Sequence, residues 1–232
     1  MGEEMNAAAS RGRARRAHPM FARYYSRVAA AMDRGGFAEY RTRLLAGLTG
    51  DVVEIGAGTG LNFYYYPPEI ERLVAIEPEP TMRAKAVEAA HDAENTVLRQ
   101  TFLNVIGGVA EALPLADASA DAVVVSLALC SVTSQEAALR EIRRVLRPGG
   151  EFRFLEHVRS QSGPAAMGQR ALDATLWPLL AAGCHVSRDT AEAVAGAGFE
   201  IRTLTRFRFP SSRLVVQPAA PHVLGHAVRR AD

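Results

Sequence analysis

The sequence predicts an α/β protein whose sheet is mostly parallel and is covered by helices on both faces. Short apolar segments alternate with longer amphipathic segments from residue 52 onwards, which is typical of parallel strands joined by crossover helices. The first apolar segment, residues 52–55, runs into a turn that contains Gly56, Gly58 and Gly60, and the second ends at Glu77. Parallel strands present ligands at their carboxyl ends, so we expect the glycine turn and Glu77 to lie at one edge of the sheet.

The predicted elements follow one another in a regular order. Two helical segments separated by Gly35 and Gly36 come first and are predicted to cover the sheet; they are residues 20–32 and 37–48. The predicted strands are residues 52–56, 72–77, 102–107, 122–129, 151–156, 200–209 and 222–228. The predicted helices between them are residues 81–91, 134–146, 165–181 and 188–197, with Ser134 as an N-cap and Pro148-Gly149-Gly150 as a stop.

Composition favours one enzyme-like domain. Hydrophobic residues make up 48% of the chain and charged residues 22%, as in ordinary globular enzymes. We predict a flexible Arg/Ala-rich leader over residues 1–18 and a single domain over residues 19–232, of which residues 19–50 are the helical cover. No apolar segment approaches the ~18–20 residues that span a bilayer, and the leader has no signal-peptide core. The protein is therefore predicted to be cytoplasmic and without a membrane span.

The net charge of +2 comes from the leader, in which Arg11, Arg13, Arg15 and Arg16 outweigh Glu3 and Glu4. Such a segment can contact nucleic acid or an anionic membrane surface, but a solvated leader is the favoured interpretation. Peripheral membrane contact stays open, and the oligomeric state is not predicted. Cys130 and Cys184 are predicted to be reduced packing residues, and no metal site is predicted.

Glycine spacing discriminates between cofactor classes. A dinucleotide loop requires glycine at the first, third and sixth positions, but the sixth position from Gly56 is Leu61. A phosphate loop ends in Gly-Lys-Ser/Thr, whereas the chain has a single lysine, Lys85, outside the turn. The remaining pattern, Glu-x-Gly-x-Gly-x-Gly from Glu54, is typical of S-adenosylmethionine sites. Glu77 lies 21 residues after Gly56, where a carboxylate can accept hydrogen bonds from ribose hydroxyls.

Later segments extend this pattern over residues 19–229. They are Ala110-Glu111-Ala112-Leu113-Pro114-Leu115, Asp121-Ala122-Val123-Val124-Val125-Ser126 and Leu146-Arg147-Pro148-Gly149-Gly150. Together with the glycine turn and Glu77, they resemble the successive motifs of class I S-adenosylmethionine-dependent methyltransferases that act on small molecules. This resemblance implies a Rossmann-like, doubly wound, seven-stranded sheet, mostly parallel with an antiparallel C-terminal strand.

A narrower resemblance is carried by five segments. They are Gly58-Thr59-Gly60-Leu61-Asn62-Phe63-Tyr64, Leu127-Ala128-Leu129-Cys130-Ser131-Val132, Leu155-Glu156-His157-Val158, Gly183-Cys184-His185-Val186-Ser187-Arg188-Asp189-Thr190 and Pro221-His222-Val223-Leu224-Gly225. These segments are similar to the methyltransferase-like alkyl thiol methyltransferases of animals. Animal members carry a hydrophobic N-terminal anchor where this chain has its arginine-rich leader, so membrane attachment is not carried over.

The resemblance implies a set of cofactor residues. They are Glu54, Gly56, Ala57, Gly58, Thr59, Gly60, Asn62, Glu77, Pro78, Met82, Val109, Ala110, Glu111, Ser126, Leu127 and Tyr25. The glycine turn would pass beneath the methionine moiety of S-adenosylmethionine, Asn62 would reach its carboxylate, and Met82 would pack on the adenine. Ser126 and Leu127 would face the sulfonium. Many members of the class have aspartate where this chain has Val109, so adenine recognition is expected to rely on Ala110, Glu111 and backbone groups.

The implied reaction is methyl transfer to a small, lipophilic acceptor, with a thiol sulfur as the favoured nucleophile. A thiol reacts as its thiolate, and His157 or His185 is predicted to accept the proton. The acceptor pocket is predicted to use aromatic side chains, namely Tyr24, Tyr25, Tyr64, Tyr65, Trp177 and residues 207–209.

Two other functions stay open, and a third is disfavoured. Methylation of a phenol, a quinone precursor or a lipid headgroup uses the same general motifs. A non-catalytic cofactor-binding regulator is also compatible with them. A nucleic-acid partner is not expected, because residues 126–129 lack the Asp/Asn-Pro-Pro-aromatic motif that base-modifying methyltransferases place after the fourth strand.

Overall fold

The computed structural model describes residues 19–175, 177–181, 183–211 and 217–231. The predicted leader, residues 1–18, lies outside the described residues, as does the side chain of Tyr25. Within the described residues no helix has both the length and the apolar character needed to cross a membrane.

A seven-stranded sheet organises the molecule, with the spatial order β3-β2-β1-β4-β5-β7-β6. Its strands are β1 (Gly50–Ile55), β2 (Ile70–Ile76), β3 (Phe102–Ile106), β4 (Ala120–Ser126), β5 (Leu146–His157), β6 (Phe199–Arg208) and β7 (Pro221–Arg229). The strands from β3 to β5 pair in parallel, and β7 runs antiparallel to both of its neighbours. The predicted fold class, a mostly parallel Rossmann-like sheet with an antiparallel C-terminal strand, is confirmed.

Helices cover both faces of this sheet. They are α1 (Pro19–Met32), α2 (Ala38–Leu45), α3 (Pro80–Thr96), α4 (Gln135–Val145), α5 (Gly163–Asp173), α6 (Trp177–Leu180) and α7 (Thr190–Gly196). Side-chain caps fix several helix starts: the Glu79 carboxylate accepts from the Met82 N–H, and the predicted cap Ser134 accepts from the Ala137 N–H. These caps hold the first turns of α3 and α4 beside the ends of β2 and β4.

The central strands are buried on both faces, which explains why they read as continuous apolar segments. Along β4, Val123 and Val125 belong to one core layer, while Ala122 and Val124 belong to the other. None of these four side chains is more than 2% exposed. Burial of each valine stabilises the fold by about 1.5–3 kcal/mol, so the ends of these strands form a rigid platform for a site.

The structure corrects several predicted boundaries. The helix predicted over residues 81–91 runs to Thr96, and the strand predicted over residues 151–156 begins at Leu146. Strand four ends at Ser126 rather than at residue 129, because Leu127 has a φ of 55° that ordinary strands do not adopt. The predicted helix over residues 165–181 is divided into α5 and α6, with a turn at Ala174 and Thr175 between them.

The N-terminal cover is kinked between α1 and α2. A short π-helical segment, Asp33–Phe37, joins the two helices, and Gly36 has a φ of 104° within it. Phe37 is fully buried and its ring lies 5.0 Å from that of Phe209 and 5.5 Å from that of His222. This contact docks the cover onto the β6–β7 pair and directs the following helix, α2, towards the ends of the central strands.

Candidate functional site

A cleft of about 480 Å³ opens at the carboxyl ends of β1, β2 and β4. Nine predicted cofactor residues line it: Gly56, Gly58, Glu77, Pro78, Met82, Val109, Ala110, Glu111 and Leu127. Residues that the sequence did not single out complete the wall, namely Ile55, Ile76, Glu79, Gly108, Ala128, Ser131, Val132, Thr133, Ser134 and Ala137. The cleft therefore brings the glycine turn, the end of β2 and the start of α4 around one space.

The glycine turn contributes Gly56 and Gly58 to the floor of the cleft. The conformation and packing of the turn leave no room for side chains. Gly56, Gly58 and Gly60 have φ values of 73°, 60° and 80°. A Cβ on Gly56 would lie 2.5 Å from the Cβ of Ala128, and one on Gly60 would lie 2.7 Å from the Phe63 ring. The Gly56 N–H donates to the carbonyl of Ile76 over 2.8 Å, which fixes the turn to the end of β2. Glycine is thus required by both conformation and close packing.

The Glu77 carboxylate bridges the glycine turn and the start of α3. Its Oε2 accepts from the Gly58 N–H and its Oε1 accepts from the Glu79 N–H, each over 2.8 Å. The side chain is only 5% exposed and borders the cleft. A carboxylate can accept about four hydrogen bonds, so holding the turn is compatible with receiving ribose hydroxyls as well.

Glu111 connects the opposite wall of the cleft to α4. Its Oε1 accepts from the backbone N–H of Thr133 over 2.6 Å and from that of Ser134 over 3.3 Å. Val109 bridges to Ala112 in the same segment, and Ala110 is buried. Met82 is buried in the wall across from them. Met82, Val109 and Ala110 are therefore among the apolar side chains that line the cleft.

Beneath the cleft lies a buried polar network centred on Glu54, Asn62 and Arg41. Asn62 donates to Glu54 over 2.7 Å, and the Tyr66 hydroxyl donates to the other Glu54 oxygen over 3.1 Å. Arg41 of α2 donates to Asn62 over 2.8 Å and to the Ser126 hydroxyl over 3.4 Å. Both amide atoms of Asn62 are engaged within the protein, so this predicted residue lies under the cleft rather than in its wall.

Burial raises the pKa of the Glu54 carboxyl to about 7, although the bonds from Asn62 and Tyr66 and the charge of Arg41 oppose the shift. The carboxyl thus holds its proton in the folded state at pH values where the unfolded chain, at 4.5, has lost it. Below pH 4.5 the group has no effect, its destabilising contribution grows as pH rises from 4.5 to about 7, and it is constant above that. By the usual 1.36 kcal/mol per pKa unit, the total change is roughly 3 kcal/mol.

We therefore expect Glu54→Gln to lose less stability than the wild type between pH 5 and pH 8, because an amide does not ionise. Urea unfolding at intervals across this range should show the stability difference between the two proteins moving by roughly 3 kcal/mol in favour of the variant. Glu71→Gln, at an exposed position of β2, is the matched control and should follow the wild type. A difference between Glu54→Gln and wild type that stays constant with pH would contradict the prediction.

Apart from Tyr25, whose side chain lies outside the described residues, the remaining predicted cofactor residues do not line the cleft. Glu54 and Ser126 belong to the network beneath it, while Ala57, Thr59 and Gly60 continue the glycine turn behind it. The predicted aromatic residues whose contacts are described do not form one group: Tyr64 donates to Asp92 at the surface, Phe207 stacks on Tyr40 at 3.8 Å, and Trp177 packs against the group formed by Cys130, Cys184 and Val186. The structure does not bring them together as one acceptor pocket.

His157 lies at the end of β5 within a buried cluster that includes both cysteines. Its Nε2 is 3.2 Å from the Cys184 Sγ, and one donor atom from each of Cys130, His157 and Cys184 lies within 4.8 Å of the others. A hydrogen bond with Cys130 and burial raise the pKa of the Cys184 thiol, which is therefore neutral. The prediction that these cysteines are reduced is met by two free thiols, but they face a histidine rather than apolar side chains alone.

The cluster is attached to the cleft wall through Glu156. Its buried carboxylate accepts from the N–H groups of Ala128, Leu129 and Cys130 over 2.8, 2.9 and 3.3 Å. Arg188 donates to the carbonyl of Leu129 over 2.7 Å. Because Ala128 and Ser131 line the cleft, the turn that carries Cys130 forms part of the cleft wall.

His185, the second predicted base, has different surroundings. Its backbone N–H donates to the carbonyl of Cys130, while its half-exposed ring has Nδ1 3.9 Å from an Asp173 oxygen. Asp173 accepts from the N–H groups of Val186 and Ser187 and thereby fixes the loop before α7. Neither histidine borders the cleft, and their role as bases stays a prediction.

Fold and site together define an S-adenosylmethionine-dependent methyltransferase, and the comparison with known proteins agrees. Residues 53–154 match the model of a family described as "Methyltransferase domain". The chain is 38% identical to human thiol S-methyltransferase TMT1A over 180 residues, which are 77% of this chain and 70% of that protein. It is 38% identical to human thiol S-methyltransferase TMT1B over 188 residues, 80% of this chain and 74% of that protein. The chain therefore belongs to the methyltransferase family of TMT1A and TMT1B.

Solved structures show the same fold. An S-adenosylmethionine-dependent methyltransferase from Thermotoga maritima has a TM-score of 0.63 and 23% identity, with 92% of this chain and 100% of that chain covered. One from Mesorhizobium loti has a TM-score of 0.60 and 20% identity, with 84% and 98% covered. The cofactor, S-adenosylmethionine, follows from the family, and the cleft fits it: the floor excludes side chains, and a buried carboxylate borders the space.

Proposed function

We propose that the protein transfers a methyl group from S-adenosylmethionine to the sulfur of a small, lipophilic thiol. The observation that carries this proposal is the 38% identity to thiol S-methyltransferases over 180 residues or more. When bound, S-adenosylmethionine supplies a methyl group on a cationic sulfur, and the protein supplies alignment and a dry surrounding.

The cleft residues have distinct proposed roles in holding the cofactor. Glu77 would accept the ribose hydroxyls, as acids at this position of doubly wound folds do. Gly56 and Gly58, which line the cleft with positive φ values, would lie against the methionine moiety. Met82 and Ala110, from opposite walls, would enclose the adenine ring.

Leu127 is proposed to orient the reacting groups. It follows β4 directly, borders the cleft, and holds a φ of 55°, which is unusual for leucine. Its N–H donates to the carbonyl of Leu155 over 2.8 Å, so the strained residue is fixed by β5. Such conformations persist where the surrounding structure determines them, and they are concentrated at functional sites.

Methylation of a quinone is the second candidate function, and the similarity that supports it covers a shorter part of the chain. A ubiquinone/menaquinone C-methyltransferase from Caulobacter vibrioides is 37% identical, but only over 117 residues, which are 43% of this chain and 46% of that protein. The thiol methyltransferase relatives cover 77% to 80% of this chain. The broader match favours a thiol as the acceptor.

Matched acceptors test the proposal. Purified protein, S-adenosylmethionine and either an alkyl thiol or the alcohol of the same chain length are incubated, and S-adenosylhomocysteine is measured by mass spectrometry. We expect product with the thiol and none above background with the alcohol, since a thiol with a pKa near ~8.5 supplies far more anion at neutral pH.

Controls separate enzymatic from spontaneous methylation. Glu77→Ala should lower the rate with the thiol, whereas Glu71→Ala, which removes an exposed acid from the same strand, should retain it. Product formed with phenols or quinols but not with thiols would overturn the proposal in favour of the second candidate function.

A further inference from the structure

The cluster of Cys130, His157 and Cys184 has the composition of a metal site. Thiolate sulfur and imidazole nitrogen are preferred ligands of Zn²⁺, and two cysteines with one histidine and an open fourth position form a known type of zinc centre. All three residues are buried, and each offers a donor atom within 4.8 Å of the other two. The residues come from three separate loop or strand ends, so the fold, rather than a local motif, assembles them.

Only small side-chain movements are needed to bring the three donor atoms to the positions of metal ligands. At Zn–S and Zn–N distances of about 2.3 and 2.0–2.1 Å, tetrahedral ligands stand roughly 3.5–3.8 Å apart. The His157 Nε2 and Cys184 Sγ are 3.2 Å apart, and the longest separation within the cluster is no more than 4.8 Å. Movements of about 1 Å, within the range of side-chain rotation, would therefore place all three atoms around one ion.

Two buried nitrogen atoms near the cluster have no hydrogen-bond partner among the described residues, namely the Nδ1 of His157 and the Nε1 of Trp177. Trp177 packs against the apolar group formed by Cys130, Cys184 and Val186. The indole N–H only donates, and the Nδ1 of a histidine that ligates through Nε2 carries a proton, so a cation is the partner of neither atom. The ion is therefore indicated by the three donor atoms themselves.

We infer that Cys130, His157 and Cys184 bind Zn²⁺ and that the fourth coordination position receives the sulfur of the methyl acceptor. The role given to the fourth coordination position rests on the proposed thiol methylation. Binding releases the protons of the two cysteine thiols to solvent, and ligation of the acceptor releases one more from its S–H group. The acceptor then lies in the site as a thiolate without needing a protein base. His157 is accordingly a ligand through Nε2 rather than the proton acceptor predicted from the sequence.

The surroundings suit this arrangement. Glu156 accepts from the Cys130 N–H and Arg188 donates to the Leu129 carbonyl, so both hold the turn around Cys130. Their opposite charges offset one another. That turn joins Ala128 and Ser131 of the cleft wall, so an acceptor at the fourth position would be next to the cofactor region. The inference thus assigns a chemical function to two cysteines and to a histidine that do not border the cleft.

Metal binding is tested on the full chain without using enzymatic activity. Protein stripped with a chelator is dialysed and titrated with Co²⁺, which reports thiolate ligation through sulfur-to-cobalt charge-transfer absorption, and zinc is quantified by mass spectrometry. We expect about one ion per chain and a charge-transfer band. Cys184→Ser and Cys130→Ser should lose the band and most of the bound metal, while His91→Ala, at an exposed histidine of α3, should retain both.

Protection from alkylation keeps the test informative if a cysteine variant does not fold. In the wild-type protein, Zn²⁺ should slow iodoacetamide modification of Cys130 and Cys184 at least tenfold, and a chelator should reverse the protection. Absence of stoichiometric metal together with unchanged alkylation, or a disulfide between the two cysteines as the stable state, would overturn the site.

Adding an alkyl thiol to the Co²⁺ form tests the open position. A stronger charge-transfer band is expected with the thiol and no change with the matched alcohol, because only the thiol adds a third sulfur ligand. An unchanged spectrum would overturn the fourth-position assignment. Metal and thiol binding without methyl transfer would instead overturn the proposed function and leave the metal site in place.

Discussion

Gly56→Ala is expected to remove about 2–5 kcal/mol of folding stability and to reduce the affinity for S-adenosylmethionine strongly. The φ of 73° costs an alanine roughly 1–2 kcal/mol. Its Cβ would lie 2.5 Å from that of Ala128, and relief of such an overlap in a packed region adds about 1–3 kcal/mol. The backbone must move at the point where the turn is proposed to contact the cofactor, so binding should suffer together with stability. Chemical unfolding and calorimetric titration measure the two effects.

Two further variants separate conformation from contact. Gly149 has a φ of 80°, and no atom lies within 4 Å of the position where its Cβ would be. Gly149→Ala should therefore show only the conformational cost of roughly 1–2 kcal/mol and bind the cofactor normally. Gly56→Ala combined with Ala128→Gly should recover part of the lost stability. Equal losses at Gly56 and Gly149 would show that the contact with Ala128 is unimportant.

Glu77→Ala is expected to weaken S-adenosylmethionine binding by ~1.5–3 kcal/mol, the range typical of hydrogen bonds to a charged group. The substitution also frees the N–H groups of Gly58 and Glu79, which the carboxylate now holds. The glycine turn should become less ordered even without cofactor. Calorimetry gives the affinity, and unfolding of the cofactor-free protein gives the structural part separately.

Glu77→Gln distinguishes the two contributions, because its amide oxygen can still accept from one backbone N–H. It should retain more stability than Glu77→Ala while losing comparable affinity, since its NH₂ group cannot accept a ribose hydroxyl. Glu71→Ala should leave both quantities unchanged. Wild-type affinity in both Glu77 variants would remove this residue from the cofactor site.

The fold and the residues that surround the cleft were predictable because their determinants are local in sequence. The glycine turn, the acid after the second strand and the alternation of strands and helices each occupy short segments, and the structure places Gly56, Glu77 and Met82 in one cleft. The boundary errors have local causes as well. Leu127 ends β4 through its backbone conformation, which an apolar sequence does not indicate.

The buried polar groups were not predictable in the same way. Arg41 belongs to the helical cover, and nothing in its neighbouring sequence indicates that it is 4% exposed and bonded to Asn62. The cluster of Cys130, His157 and Cys184 joins residues up to 54 positions apart, without the close spacing that identifies a metal motif. Their proximity depends on the parallel pairing of β4 with β5 and on the loop before α7, which only the tertiary structure reveals.

Arg41 has a consequence for how the molecule opens. The same guanidinium bonds Asp33 in the kink between α1 and α2, Asn62 after the glycine turn and Ser126 at the end of β4. If α2 detached, Asn62 and Glu54 would stay buried without this cation. The free energy cost of that state is one that the fraying of a helix terminus does not have. Amide hydrogens in the N-terminal cover and in the glycine turn should therefore exchange through one shared opening of the structure. Ligand binding at the turn should then slow exchange in the cover, although the cover lines no part of the cleft.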